Sequence, residues 1–180
     1  MPAVNLPADI NLVGIDVSHS CCVQAARAYA RRGWRCICAR GEQIPLPSGS
    51  IDVVASNVAL PYMNIPRALE EIHRVLRAHG TVRLGLHHPL FTSTEFRNCG
   101  FRPKAALYRV WVLLNGLYFH VTGKVLTAAG KSESCQTARG MRLALARAGF
   151  TDVQCRRDKL RFVVEARKAS ARVIPFRRAA

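Results

Sequence analysis

The chain has 180 residues, of which 49% are apolar, so it has the size of one domain and enough apolar mass for a real core. That composition excludes a disordered chain. The formal charge of +16 points toward phosphates, anionic membranes or acidic partners, although net charge alone fixes no partner.

Seven cysteines, an odd number, argue against a disulfide framework, and the absence of a CxxC pair argues against zinc, so no metal is expected. Met1 to Ile10 holds no basic region followed by an apolar stretch, so no secretory signal is visible and the cytoplasm is the expected compartment.

Along the chain, Leu12 to Val17 is a short apolar run of the kind buried on both faces of a parallel sheet. Ser18 offers an N-cap to a helix over Ser20 to Arg32, which Gly33 ends. Arg35 to Ala39 reads as a second strand, with Cys36 and Cys38 facing one side as small core residues. Pro45, Pro47 and Gly49 mark a loop from Arg40 to Ser50. Ile51 to Ser56 is a third strand, followed by a loop over Asn57 to Asn64. Pro66 opens a helix with a stripe of Leu69, Ile72, Val75 and Leu76, and Gly80 is the expected stop. Thr81 to Leu86 is a fourth strand, and strands alternating with helices argue for a parallel α/β sheet.

The pattern changes after His87, His88 and Pro89. Ala105 to Val121 is strongly apolar but is interrupted by Arg109 and Asn115, and about 17 residues is the lower limit for crossing a bilayer. It reads either as an ordinary core helix or as one at a membrane interface. Thr137 caps a helix that runs to Ala148, with Gly149 ending it. Val153 to Arg157 and Leu160 to Ala166 form an expected antiparallel pair, and the tail carries five basic and no acidic residues from Arg167 onward. The expected organisation is one domain over residues 1–168 and a flexible basic tail over 169–180.

Four stretches carry a resemblance. They are Val13-Gly14-Ile15-Asp16-Val17-Ser18, the run from Gly41 to Val54 (GEQIPLPSGSIDVV), the run from Ala68 to Gly80 (ALEEIHRVLRAHG), and Ala148 to Val153 (AGFTDV). In type, order and spacing they are similar to the class I, Rossmann-like S-adenosylmethionine-dependent methyltransferases of the type 11 family. The resemblance implies a mostly parallel sheet with a C-terminal antiparallel strand pair and a helical insertion near Arg102 to Gly123. It implies S-adenosylmethionine as cofactor and methyl transfer to a small or lipid-like acceptor.

An acidic residue ending a parallel strand can accept hydrogen bonds from both ribose hydroxyls, and Asp16 stands at that place with Val17 and Ser18 beside it. The lesser alternative is that Asp16 merely helps cap the following helix. Gly41 and Glu42 fall where the family edges the adenine, with Glu42 otherwise a solvated loop residue. Arg40 stands where the family has an acid that meets the adenine amino group, and arginine cannot accept that bond. Asn57 and Val58 match the positions lining the cofactor's methionine end, with Asn57 otherwise a turn residue. Tyr62, His87 and His88 are candidates for contact with the acceptor, and no catalytic residue stands out, because methyl transfer rests mainly on alignment.

The family opens with a strand, a Gly-x-Gly-x-Gly turn and a helix, and Met1 to Asn11 contains no glycine and is too short for them. The expectation is therefore a missing first strand and helix, from a start placed too late or a truncated copy, with two apolar strand edges left unpaired. The apolar run with the basic surface also raises peripheral membrane contact. Two rivals are a non-catalytic methyltransferase-like interaction module and a basic nucleic-acid-binding protein. The latter ranks last for want of a recognition motif.

Overall fold

A computed structural model describes residues 10–30, 33–87, 103–128, 130–157 and 161–170. The chain divides into two compact units, Met1–Pro45 and Leu46–Ala180. Most of the basic tail, residues 171–180, lies outside the described residues, as do His88 and Met1 to Asp9.

In the first unit, β1 (Val13–Asp16) pairs in parallel with β2 (Arg35–Cys38), joined by α1 (His19–Tyr29). Ser18 caps α1 as its residue type foretells, its Oγ accepting from the Cys21 amide at 3.4 Å. The expectation of a strand covered on both faces fails here. All four residues of β1 are half-buried, and Val17 beyond it is 65% exposed. Cys38 is exposed rather than a core residue; its thiol donates to the Val17 carbonyl at 3.5 Å.

The second unit holds a sheet in the order β3–β4–β6–β5, built from β3 (Ile51–Asn57), β4 (Leu76–His87), β5 (Phe150–Arg157) and β6 (Arg161–Lys168). β3 and β4 run parallel, and β6 runs antiparallel to both β4 and β5, so the closing antiparallel pair is present. The helices of this unit are α2 (Ile65–Val75), α3 (Pro103–Thr122) and α4 (Ala138–Arg147). The core gathers Leu69, Ile72 and Val75 of α2, Val82, Leu84 and Leu86 of β4, Phe119 of α3, Met141 and Leu145 of α4, and Phe162 and Val164 of β6. Among the described residues β1 pairs only with β2 and β3 only with β4, so each has one edge without a ladder partner.

Helix α2 stops at Val75, five residues before the glycine expected to end it. A helix reaching Gly80 would need the carbonyls of residues 73 to 76 for the amides of 77 to 80. All four are bonded elsewhere. Lys168 Nζ donates to the His73 and Leu76 carbonyls, each at 2.7 Å. The Gly49 and Ser50 amides donate to the Arg74 and Val75 carbonyls, each at 2.9 Å. Arg74 strengthens the same junction, gripping Glu71 with two bonds of 2.7 and 2.8 Å and reaching the Leu46 carbonyl at 2.8 Å. The chain therefore enters β4 early, and a register shift beside Ile51 absorbs the extra residues. Gly80 lies inside that strand, where a Cβ would stand 2.9 Å from the Arg77 carbonyl oxygen.

His73 sits edge-on to Phe150, ring centroids 5.1 Å apart. Burial first, and then the Lys168 ammonium, hold its pKa below the ordinary value, against a backbone contact at Gly149 that raises it. Below about pH 6.5 the unfolded chain therefore binds a proton at this position that the folded chain resists. Stability from this group is complete above that pH and falls away as the pH drops toward the lowered folded value. Thermal unfolding at about pH 7.5 and about pH 5.5 is expected to show a larger acid loss in the native chain than in His73→Gln. Equal losses would assign the acid sensitivity to other groups.

Candidate functional site

The residues expected to hold a cofactor fall into two groups, one in each unit, and each follows the carboxyl end of a parallel strand pair. In the first unit Asp16 ends β1, and the Ala39 amide following β2 donates to its carbonyl at 3.0 Å. Asp16 Oδ1 accepts from the Ser18 amide at 2.8 Å, so the carboxylate steadies the turn into α1. A carboxylate has about four acceptor sites, so this use leaves it able to take a ribose hydroxyl. Cys22 donates from its thiol to the Asp16 carbonyl at 3.5 Å, holding the same turn from the helix side.

Gly41 and Glu42 follow β2 in a turn. Arg40, standing at the position of the family's acid, reaches Glu42 Oε1 at 3.5 Å. The Glu42 side chain is only 14% exposed, so it is not a solvated loop residue. The turn thus carries a carboxylate two residues after Arg40, paired with it.

In the second unit Asn57 ends β3 opposite Gly85 of β4. Its Oδ1 lies 2.8 Å from where a Cβ on Gly85 would stand, so the glycine is what lets the amide side chain lie against the neighbouring strand. Val58 follows at φ 60, with its amide donating to the Gly85 carbonyl at 2.7 Å. A β-branched residue in the left-handed region is costly, and such strain collects at ligand-binding turns. His87 ends β4 on the same edge as Asn57 and Val58. His88 lies outside the described residues.

Tyr62 closes a single 3-10 turn, Leu60–Tyr62, and is 58% exposed. Close by in α3 stands a group that the sequence did not single out. Tyr108 donates to Glu133 Oε2 at 2.5 Å, and the Arg109 guanidinium lies 3.6 Å from Glu133 Oε1. Lys131 Nζ stands 4.8 Å from the centre of the Tyr108 ring, and Trp111 stacks beside it at 5.9 Å. Burial first, then the bond to Glu133, push the Tyr108 phenol up to about 12, with the Tyr62 phenol a lesser contributor. The only signal in the sequence was the interruption of an apolar run by Arg109; Glu133 lies in a stretch without periodicity. Among the described residues no group of three or more His, Cys, Asp or Glu could hold a metal ion.

These features meet known proteins at several points. Residues 3–84 match a family model described as a methyltransferase domain. A curated relative, malonyl-[acyl-carrier protein] O-methyltransferase of Laribacter hongkongensis (strain HLHK9), is 56% identical over 45 residues, 24% of this chain and only 15% of that protein's length. Among solved structures, an S-adenosylmethionine-dependent methyltransferase from Mesorhizobium loti is similar over 88% of this chain and 80% of its own, at 16% identity and a TM-score of 0.60. A putative S-adenosylmethionine-dependent methyltransferase from Listeria monocytogenes is similar over 89% and 81%, at 17% identity and a TM-score of 0.60. At such identities the structures speak for the fold, which is the Rossmann-like α/β fold expected from the sequence. The stretch of residues 3–84 thus matches the methyltransferase-domain model that its motifs resemble, while the similar structures show the fold.

Proposed function

We propose that the protein transfers a methyl group from S-adenosylmethionine to a small or lipid-like acceptor. The observation that carries this reading is Asp16: a carboxylate with spare acceptor capacity at the carboxyl end of a parallel strand, inside the segment that matches the methyltransferase family. When bound, S-adenosylmethionine supplies a methyl group made electrophilic by its sulfonium. Asp16 accepts from the ribose hydroxyls, and the Val17 and Ser18 backbone lies beside it. The turn at Gly41 and Glu42 edges the adenine. Asn57 and Val58, the latter at φ 60, hold the positions that the resemblance assigns to the methionine end. Tyr62 and His87 stand on the acceptor side.

A carboxyl-bearing thioester is the acceptor class suggested by the name of the curated relative, and it agrees with a lipid-like acceptor. Peripheral membrane contact belongs to the same reading on other grounds, the apolar run Ala105 to Val121 and the basic charge of the chain. Methyl transfer of this kind needs alignment more than acid–base help, and these residues are positioning groups.

Calorimetry with S-adenosylmethionine tests the proposal. Asp16→Ala is expected to weaken binding by about 1–3 kcal/mol, the scale for losing hydrogen bonds to a charged group. Asp16→Asn keeps an oxygen for the Ser18 amide and separates cofactor binding from the local turn; it is expected to weaken binding as well. Unchanged affinity in both variants removes Asp16 from the site, and no binding by the native chain refutes the proposal.

A further inference from the structure

Helix α3 is apolar on two opposite sides. At about 100° per residue, Val112, Gly116 and Phe119 fall together with Asn115 on one side, and all four are buried. Leu107, Val110, Leu114, Leu117 and Val121 fall on the other, at alternating spacings of three and four residues, and are between 43% and 72% exposed. Leu113, 45% exposed, widens the stripe. Single exposed leucines are ordinary, but a continuous apolar stripe the length of a helix marks an interaction surface.

The charges choose the occupant. The helix holds no acidic residue. Lys104 is exposed at its first turn and Lys124 just past its end, and the whole chain carries +16. A second copy would bring the same positive charge against this face, with no acidic partner on α3 to answer it. An anionic lipid surface answers both features at once. Trp111 and Tyr118 border the stripe, where amphipathic rings favour the level of the headgroups. Among the described residues no helix is long and apolar enough to cross a membrane, so the geometry is that of a helix lying in the interface plane.

We propose that the exposed face of α3 docks this protein on an anionic bilayer, with Leu107, Val110, Leu114, Leu117 and Val121 among the acyl chains and Lys104 and Lys124 at the headgroups. This deepens the lipid-like acceptor reading but is tested apart from it, because docking needs no cofactor.

The experiment is sedimentation of the full chain with vesicles of phosphatidylcholine alone and of phosphatidylcholine with phosphatidylglycerol. Binding is expected on the anionic vesicles, weakening as salt rises. The double variant Leu114→Ser, Leu117→Ser is expected to partition about tenfold or more weakly, since each leucine then forgoes its apolar burial. These side chains are exposed, so thermal unfolding should stay cooperative; if it does not, Leu107→Ser with Val121→Ser repeats the test at the ends of the stripe. No binding to anionic vesicles at low salt overturns the proposal. So does undiminished binding by the variants, which would assign attachment to charge elsewhere. A lipid-free dimer that the variants convert to monomer also overturns it, because a second copy would then cover the face. Calorimetry with S-adenosylmethionine on the same sample, without lipid, shows whether the cofactor-binding reading fails or holds independently.

Discussion

Asn115→Leu is expected to destabilise the second unit by about 2–4 kcal/mol, from three lost hydrogen bonds and backbone groups that water reaches only in part. Asn115 is 1% exposed on an otherwise apolar helix face. Its Nδ2 donates to the carbonyls of Leu126 at 3.1 Å and Glu133 at 2.9 Å, and its Oδ1 accepts from the Leu126 amide at 2.8 Å. One amide side chain thus fixes two points of the stretch between α3 and α4, and leucine, of nearly the same volume, can satisfy neither. The consequence reaches the Tyr108 cluster, because the second point is Glu133 itself. With Glu133 released, the Tyr108 phenol, pushed up to about 12 by burial first and Glu133 second, is expected to fall part of the way toward the ordinary phenol range while burial still holds it above, which ultraviolet titration reads directly. Denaturant unfolding gives the stability change. A variant as stable as the native chain, with the high titration intact, would mean that the stretch is held by other contacts.

What was legible in the sequence followed from chemistry that is local. Ser18 and Thr137 cap their helices because a short hydroxyl before an apolar-periodic run meets amides two or three residues on, and Thr137 Oγ1 duly accepts from Gly140 at 3.2 Å. Gly149 ends α4 at φ 91, a conformation that side chains resist. The end of α2 was illegible because the lysine that takes two of its last carbonyls lies 92 and 95 residues further along the chain. The face of α3 was illegible for another reason. Leu114 and Phe119 are equally apolar in a sequence, yet one is 60% exposed and the other fully buried. Hydrophobicity reports that a side chain shuns water and not what covers it. For the candidate site, Asp16 and Asn57 were legible through the family resemblance, whereas the positive φ of Val58 and the pairing of Arg40 with Glu42 depend on geometry that no residue type announces.

Phe119→Ala is expected to cost about 3–5 kcal/mol, the range for emptying a buried aromatic site. Its ring is fully buried where α3 meets α4. The contact is set from the other side by Gly140, since a Cβ there would lie 2.6 Å from two ring carbons of Phe119 and 2.7 Å from its carbonyl oxygen. Glycine inside a helix is unfavourable by roughly 0.5–1 kcal/mol relative to alanine, so its presence in α4 is explained by this approach. Gly140→Ala is therefore expected to destabilise by about 1–3 kcal/mol through overpacking, although alanine is the better helix former. The two changes should not add. Removing the ring clears two of the three close contacts and leaves the carbonyl, which is also held by the Gly123 amide at 2.7 Å and cannot withdraw. The double variant is expected to be more stable than the sum of the two costs by more than about 0.5 kcal/mol, the margin within which independent sites add. Denaturant unfolding of the four chains completes the cycle, and strict additivity would show that Phe119 and Gly140 do not share one packing contact.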